Sequence, residues 1–145
     1  MLNLPHITLL IIDCLDISRA QKALDISSKH IQFGAVKFLT SLETSDPRKV
    51  SIPNLDSIEK YSEFCIKDLH TYVDTEYVLV IQYDGFILNP QSWTDEFLKY
   101  DYIGAPWFIE REFWFTKFGL PRELKGTTVV GNGGFSLRSK KFLEA

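Results

Sequence analysis

Ile7 to Cys14, Ile-Thr-Leu-Leu-Ile-Ile-Asp-Cys, is a near-continuous apolar run with β-branched residues that closes on an acid. A strand buried on both faces has this pattern, and it predicts a central parallel strand. Ile17, Ala20, Leu24, Ser27 and Ile31 then recur at helical spacing with Arg19, Gln21, Lys22 and Lys29 between them, predicting an amphipathic helix. Ala35 to Leu39 reads as a second strand. Asp46-Pro47 and Ile52-Pro53 break both periodicities, so Thr40 to Asn54 is expected to be a loop that could border a ligand cleft. Asp56 and Glu59 have the spacing of a capping box, and Ile58, Tyr61, Cys65, Leu69 and Tyr72 continue at steps of three and four, predicting a helix that runs to about Val73. Tyr77 to Ile81 is again all apolar. Strand, helix, strand, helix, strand is the order of an α/β sheet.

The second half is less regular. Ser92 to about Lys99 reads as a helix, Tyr102-Ile103-Gly104 as a short apolar piece, and the residues flanking Gly131 to Gly134 as β structure with an aromatic-rich loop before them. Ser139 is placed to cap a helix that stops at Ala145, so the domain is expected to be C-terminally truncated. With 145 residues the chain falls within the size of one domain, 1–145, and no internal repeat or low-complexity tract divides it.

Composition narrows the function. A net charge of −3, with no basic run, argues against a protein that neutralises nucleic-acid phosphates. Cys14 and Cys65 lie in apolar surroundings without a Cys or His at metal-ligand spacing, which reads as buried thiols in a reducing, cytoplasmic setting. Ile7 to Ile12 lacks the flanks of a signal peptide and is far shorter than the ~20 residues of a membrane span. His6, His30 and His70 form no i, i+4 pair, and no Gly-x-Ser-x-Gly elbow occurs, leaving metalloprotease and serine-hydrolase chemistry without support.

Two segments could carry chemistry. At Gln82-Tyr83-Asp84-Gly85 a carboxylate leaves the carboxyl end of a buried strand, where open α/β sheets place their ligands. Asp84 could hold Mn2+ or Mg2+, which draw much of their shell from substrate phosphates and water; an ordinary Asp-Gly turn is the alternative. Val130-Gly131-Asn132-Gly133-Gly134-Phe135-Ser136-Leu137-Arg138 lets backbone approach a ligand closely. It lacks the Gly-Lys-Ser/Thr of a P-loop, and a type I′ hairpin at Asn132-Gly133 is its alternative. Trp107, Phe108, Phe113, Trp114, Phe115 and Phe118 could form a stacking platform, ordinary core, or, with Arg111, Lys117 and Lys125, a peripheral membrane or partner surface.

From Tyr77 to Leu143 the chain resembles the GT-A-type glycosyltransferases, through the apolar strand, the Gln-x-Asp triplet, Trp93, Tyr-Asp-Tyr-Ile-Gly-Ala-Pro-Trp at 100–107 and Gly-Asn-Gly-Gly-Phe-Ser-Leu-Arg-Ser at 131–139. The resemblance implies a single Rossmann-like GT-A domain with a mostly parallel sheet flanked by helices, residues 1–90 forming a nucleotide-binding half and 91–145 part of an acceptor-side half. It implies a nucleotide-diphosphate sugar as donor, a glycan or other hydroxyl acceptor, and a metal at Asp84. Gln82, Asp84, Gly85, Gly131, Asn132, Gly133, Gly134 and, at the first strand's end, Asp13 would bind the donor. Gly104 to Trp107 would wall the cleft, with Trp107 and Trp114 on the acceptor side. An inverting reaction needs a general base, for which Asp101, Glu110 and Glu112 are the candidates and Asp101 the one assigned. Gln82 stands where the family has an acid, which leaves a non-catalytic sugar-nucleotide or glycan-binding module as the competing reading.

Overall fold

The computed structural model describes residues 1–145, with Trp107, Val129, Val130, Gly131 and Asn132 described only as strand backbone. Six strands, β1 (Leu2–Ile12), β2 (Ile31–Thr40), β3 (Lys49–Ser51), β4 (Tyr77–Ile81), β5 (Tyr102–Ile109) and β6 (Thr127–Ser139), form one sheet in the order β3-β2-β1-β4-β6-β5. The first four in that row run parallel. β6 is antiparallel to both β4 and β5. The result is an α/β fold with a mostly parallel sheet and helices on its faces.

The apolar run at the start of the chain makes β1 a central strand because it has core to fill on both sides. Leu9 and Ile11 are fully buried against Ala20, Ala23 and Leu24 of helix α1 (Ile17–Ser28). Leu10 is fully buried on the other face, with Val78 and Val80 of β4 and Phe64 and Cys65 of helix α2 (Ile58–Lys67). Two more short helices follow, α3 (Phe113–Thr116) and α4 (Lys140–Glu144), the latter capped by Ser139 as its sequence predicts.

Several expected elements take a different form. The α1 periodicity runs on to Ile31, but the helix ends at Ser28 and Ile31 opens β2. The 40–54 loop contains β3, three residues that complete the sheet edge by pairing with Phe38 to Thr40. Ser57, not Asp56, caps α2, its hydroxyl accepting from Lys60 N at 3.2 Å, while Asp56 pairs with the Lys60 ammonium. In place of a helix at 92–99 there are two 3-10 turns, Pro90–Ser92 and Asp95–Lys99, because the Thr94 hydroxyl takes the Glu96 N–H and restarts the chain there.

Residues 41–48 are latched onto α1 by a buried carboxylate. Asp46, whose side chain is 2% exposed, accepts from Arg48 N, Nε and Nη2 and from Gln21 Nε2 at 2.8 to 3.0 Å. The Arg48 guanidinium, itself bonded to Asp25, holds the Asp46 carboxyl far below its ordinary 3.8. A depressed carboxylate contributes stability that is complete above its unfolded pKa and is lost as pH falls through the folded one. Asp46→Asn is therefore expected to cost about 2 kcal/mol at pH 7. Urea melts should show that difference narrowing as pH drops below 3.8; a pH-independent difference would contradict this assignment.

Candidate functional site

The chain steps outward from β1 to β2 and β3, then crosses to the other side of β1 for β4. The ends of β1 and β4 thus form a topological switch point, the place where parallel sheets open a crevice outside their carboxyl ends. A cleft of about 1050 Å³ lies there, between α2, α4 and the sheet. Leu15, just past β1, and Gln82, just past β4, both line it, with Tyr61, Gly133, Gly134 and Arg138.

Gln82 to Gly85 is a two-residue turn. Gln82 N donates to Gly85 O at 3.0 Å and Gly85 N to Gln82 O at 3.2 Å, leaving Tyr83 and Asp84 at the corner. The turn reading of Asp84-Gly85 is therefore correct as geometry. It does not remove the segment from the cleft, since Gln82 faces it while Asp84 is exposed at the tip. The Arg19 guanidinium stacks over the Tyr83 ring, 3.9 Å from its centre, and fixes the turn to α1.

The glycine-rich segment forms no hairpin. It runs on within β6, where the register jumps from Gly104/Ser136 to Ala105/Asn132, so that three extra residues of β6 stand against one step of β5. This bulge brings backbone to the end of β4: a Cβ built on Gly85 would lie 3.5 Å from Phe135 Cβ and 3.7 Å from Gly134 O. The two segments singled out in the sequence meet in space. Gly131, Asn132 and Trp107 lie outside the residues described beyond their backbone.

Other assigned residues do not converge here. Asp13 is buried, and both its oxygens are taken: Leu15 N and Asp16 N donate to Oδ1 at 2.9 and 3.1 Å, and Arg19 Nε donates to Oδ2 at 2.7 Å. It shapes the loop after β1 and presents no free oxygen to a ligand. Asp101 sits at the opposite end of the sheet, where Oδ1 accepts from the Ser139 hydroxyl at 2.7 Å and Ser139 pairs with Tyr77 at the start of β4. That position is unsuited to a base acting near Gln82. Glu112 is bound to Arg122, which pulls its carboxyl down. Trp114 stacks on Phe113 and packs against Phe118 in a cluster around α3. Gly104, Ala105 and Pro106 line a different cavity of about 510 Å³ on the other face of the sheet, with Phe86, Trp93 and Phe97.

Sequence reasoning passed over Arg138, Tyr61 and Cys65. Arg138 Nε donates to Ser136 Oγ at 3.0 Å and Nη2 to Gly133 O at 3.3 Å, which lays the guanidinium along the bulge. Burial pushes the Tyr61 hydroxyl up to about 12, opposed by a hydrogen bond with Gln82, and burial raises the Cys65 thiol, opposed by Arg138. The available signal was period-2 alternation, which puts Ser136 and Arg138 on the side of the sheet that Val78 and Val80 face.

Mn2+ or Mg2+ takes several oxygen ligands in a well-defined shell. The turn offers one carboxylate, Asp84, and two residues earlier an amide engaged with Tyr61. Among the described residues no three His, Cys, Asp or Glu side chains cluster in a way that could hold a metal ion. This donor set fits a protein-held divalent ion poorly.

No helix of the described residues is long and apolar enough to cross a membrane. Compared with known families, residues 46–145 match the model described as Protein of unknown function (DUF5672), which spans every residue of the cleft except Leu15. No curated protein matches the chain.

Proposed function

We propose that this chain, which belongs to the DUF5672 family of proteins of unknown function, binds a nucleotide-diphosphate sugar in the cleft and transfers the sugar to a hydroxyl of a glycan or glycoconjugate acceptor. The observation that carries the reading is the position of the cleft. It opens at the switch point between β1 and β4, and the Gln82–Gly85 turn and the Gly133–Gly134 bulge close on each other at its edge. Such crevices accept nucleotide ligands in open α/β sheets, and glycine backbone lets a sugar or phosphate approach closely. The same features support a Rossmann-like, GT-A-type reading of the fold, alongside the resemblance over 77–143, and a cytoplasmic setting accords with the two buried free thiols.

Glycosyl transfer needs the donor oriented and the charge of the departing diphosphate stabilised. The cleft supplies Tyr61, Gln82 and Tyr102 as polar contacts and Arg138 as its cation. Among the described residues its one lining carboxylate is Asp56, held below the ordinary range by Lys60 and so a weak base. That observation favours a second reading, a module on the same platform that binds sugar nucleotides or glycans without turnover.

A panel of nucleotide sugars, offered with and without Mn2+ and with simple glycoside acceptors, separates the two. At least one donor is expected to bind by calorimetry and to release its nucleoside diphosphate when an acceptor is present. Binding with no release supports the second reading; no binding by any donor overturns both.

A further inference from the structure

Arg138 is a half-buried cation facing the cleft, and among the described residues no carboxylate pairs with it. It is held in place by neutral acceptors, Ser136 Oγ and Gly133 O, which occupy Nε and one N–H of Nη2. The Cys65 sulfur is hydrogen-bonded to it as well; a guanidinium has five N–H donors in a planar fork, so two remain for the cleft. The centre of the Tyr102 ring lies 5.5 Å from Cζ, within cation–π range. A partly desolvated, unneutralised cation is costly unless an anion completes it, and a fork of this shape suits phosphate oxygens in a bidentate grip.

The neighbouring groups set where that anion can sit. Asp56, next to Ser57 at the start of α2, and Glu59 already complement that helix end, so a second anion gains little there. Gln82, Tyr61 and the open backbone of Gly133 surround the Arg138 end instead. Gly133 is also what permits the guanidinium to lie there, because a Cβ at this residue would come 2.7 Å from Arg138 Nη2.

We infer that Arg138 is the anion-binding residue of the cleft and grips a diphosphate directly, in the role that the strand-end carboxylates and their metal ion would otherwise fill. That the diphosphate belongs to a nucleotide sugar rests on the function proposed above; the grip itself does not. Ser136 and Gly133 aim the fork, Tyr61 and Gln82 offer hydrogen bonds beside it, and the exposed Asp84 is peripheral to it.

The test is calorimetric titration of the whole chain with inorganic pyrophosphate, orthophosphate and nucleoside diphosphates in EDTA. Pyrophosphate and at least one nucleoside diphosphate should bind with the metal removed, and orthophosphate more weakly. Arg138→Gln should weaken pyrophosphate about 10- to 100-fold, the loss expected for hydrogen bonds to a charged group, while Asp84→Asn changes it less than about threefold. Gly133→Ala should leave the melting temperature near that of the parent, because the tip of a flexible side chain moves aside, yet weaken pyrophosphate severalfold by displacing the fork. This variant carries the test if Arg138→Gln folds poorly. Pyrophosphate affinity that is absent, that vanishes in EDTA, or that survives both Arg138→Gln and Gly133→Ala overturns the inference. Arg138-dependent pyrophosphate binding in a protein that takes no nucleotide sugar would keep it and sink the transferase reading; nucleotide-sugar binding indifferent to Arg138 would do the reverse.

Discussion

Gly34→Ala is expected to be among the most destabilising single substitutions in the domain. Gly34 lies in β2 opposite Pro5-His6, where two extra residues of β1 bulge between the pairs Leu4/Phe33 and Thr8/Ala35. A methyl group there would sit 2.2 Å from Pro5 O, 3.0 Å from Pro5 C and 3.0 Å from Thr75 Cγ2. Two of these atoms are backbone, so no rotamer change relieves the clash, and the two central strands must part at this point. A cost on the order of 3 kcal/mol or more follows, a large share of the roughly 5–15 kcal/mol that holds an ordinary domain together. Gly85→Ala, whose methyl meets nothing nearer than 3.5 Å, is the matched control and should shift stability by less than about 1 kcal/mol. Equal urea midpoints for the two variants would refute the account of the bulge.

Phe38→Ala should be the most damaging of the simple truncations. Among the described residues Phe38 is the largest fully buried side chain, and it packs in the core on the α1 face of the sheet. Its removal deletes transfer free energy and leaves a cavity that rigid strands on either side cannot close, a loss of about 3–5 kcal/mol. For a chain of this size that corresponds to a fall in Tm of about 10–15 °C. Phe118, 53% exposed in the cluster around α3, should lose less than about 1 kcal/mol on the same change. Thermal melts of the pair decide the matter: a Phe38→Ala variant melting within a few degrees of the parent would mean the core has been assigned wrongly.

The parallel half of the fold was legible because its strands are apolar on both faces. Tyr77 to Ile81 falls where the pattern puts it, but the helix expected to run to about Val73 stops at Lys67, and a separate 3-10 turn, Leu69–Tyr72, brings Leu69 into the core. What escaped was structure defined by pairing. β3 has only three residues and exists because β2 offers it an edge; β2 starts four residues early because Ile31 and Phe33 alternate into the core past a glycine. The Asn132-Gly133 pair favours a turn locally, yet the strand runs on through it, with Asn132 paired to Ala105 of β5.

The site was half legible. A strand-end acid and a glycine cluster are sequence-visible, and the structure brings their segments into contact. Residue type, however, does not say which carboxylates are already engaged. Asp13 and Asp101 look available in a string and are bonded to Arg19 and Ser139 in the fold. Arg138 was the converse, hidden at the end of a motif read for its glycines, and its importance comes from the lack of a counter-charge among the described residues, which only three dimensions reveal.

The row of strands also ends in two edges, and each is broken up in its own way. On one side three-residue β3 pairs only with Phe38 to Thr40, so the edge steps from β3 to β2 partway along. On the other, β5 carries Pro106, which has no amide hydrogen to give, and steps out of register twice within its length. Short, kinked or proline-bearing margins are how sheets resist strand-by-strand aggregation. The irregularity that lifts Gly133 toward the cleft thus also roughens the outer margin, so straightening this bulge to strengthen the sheet would expose a longer, flatter edge.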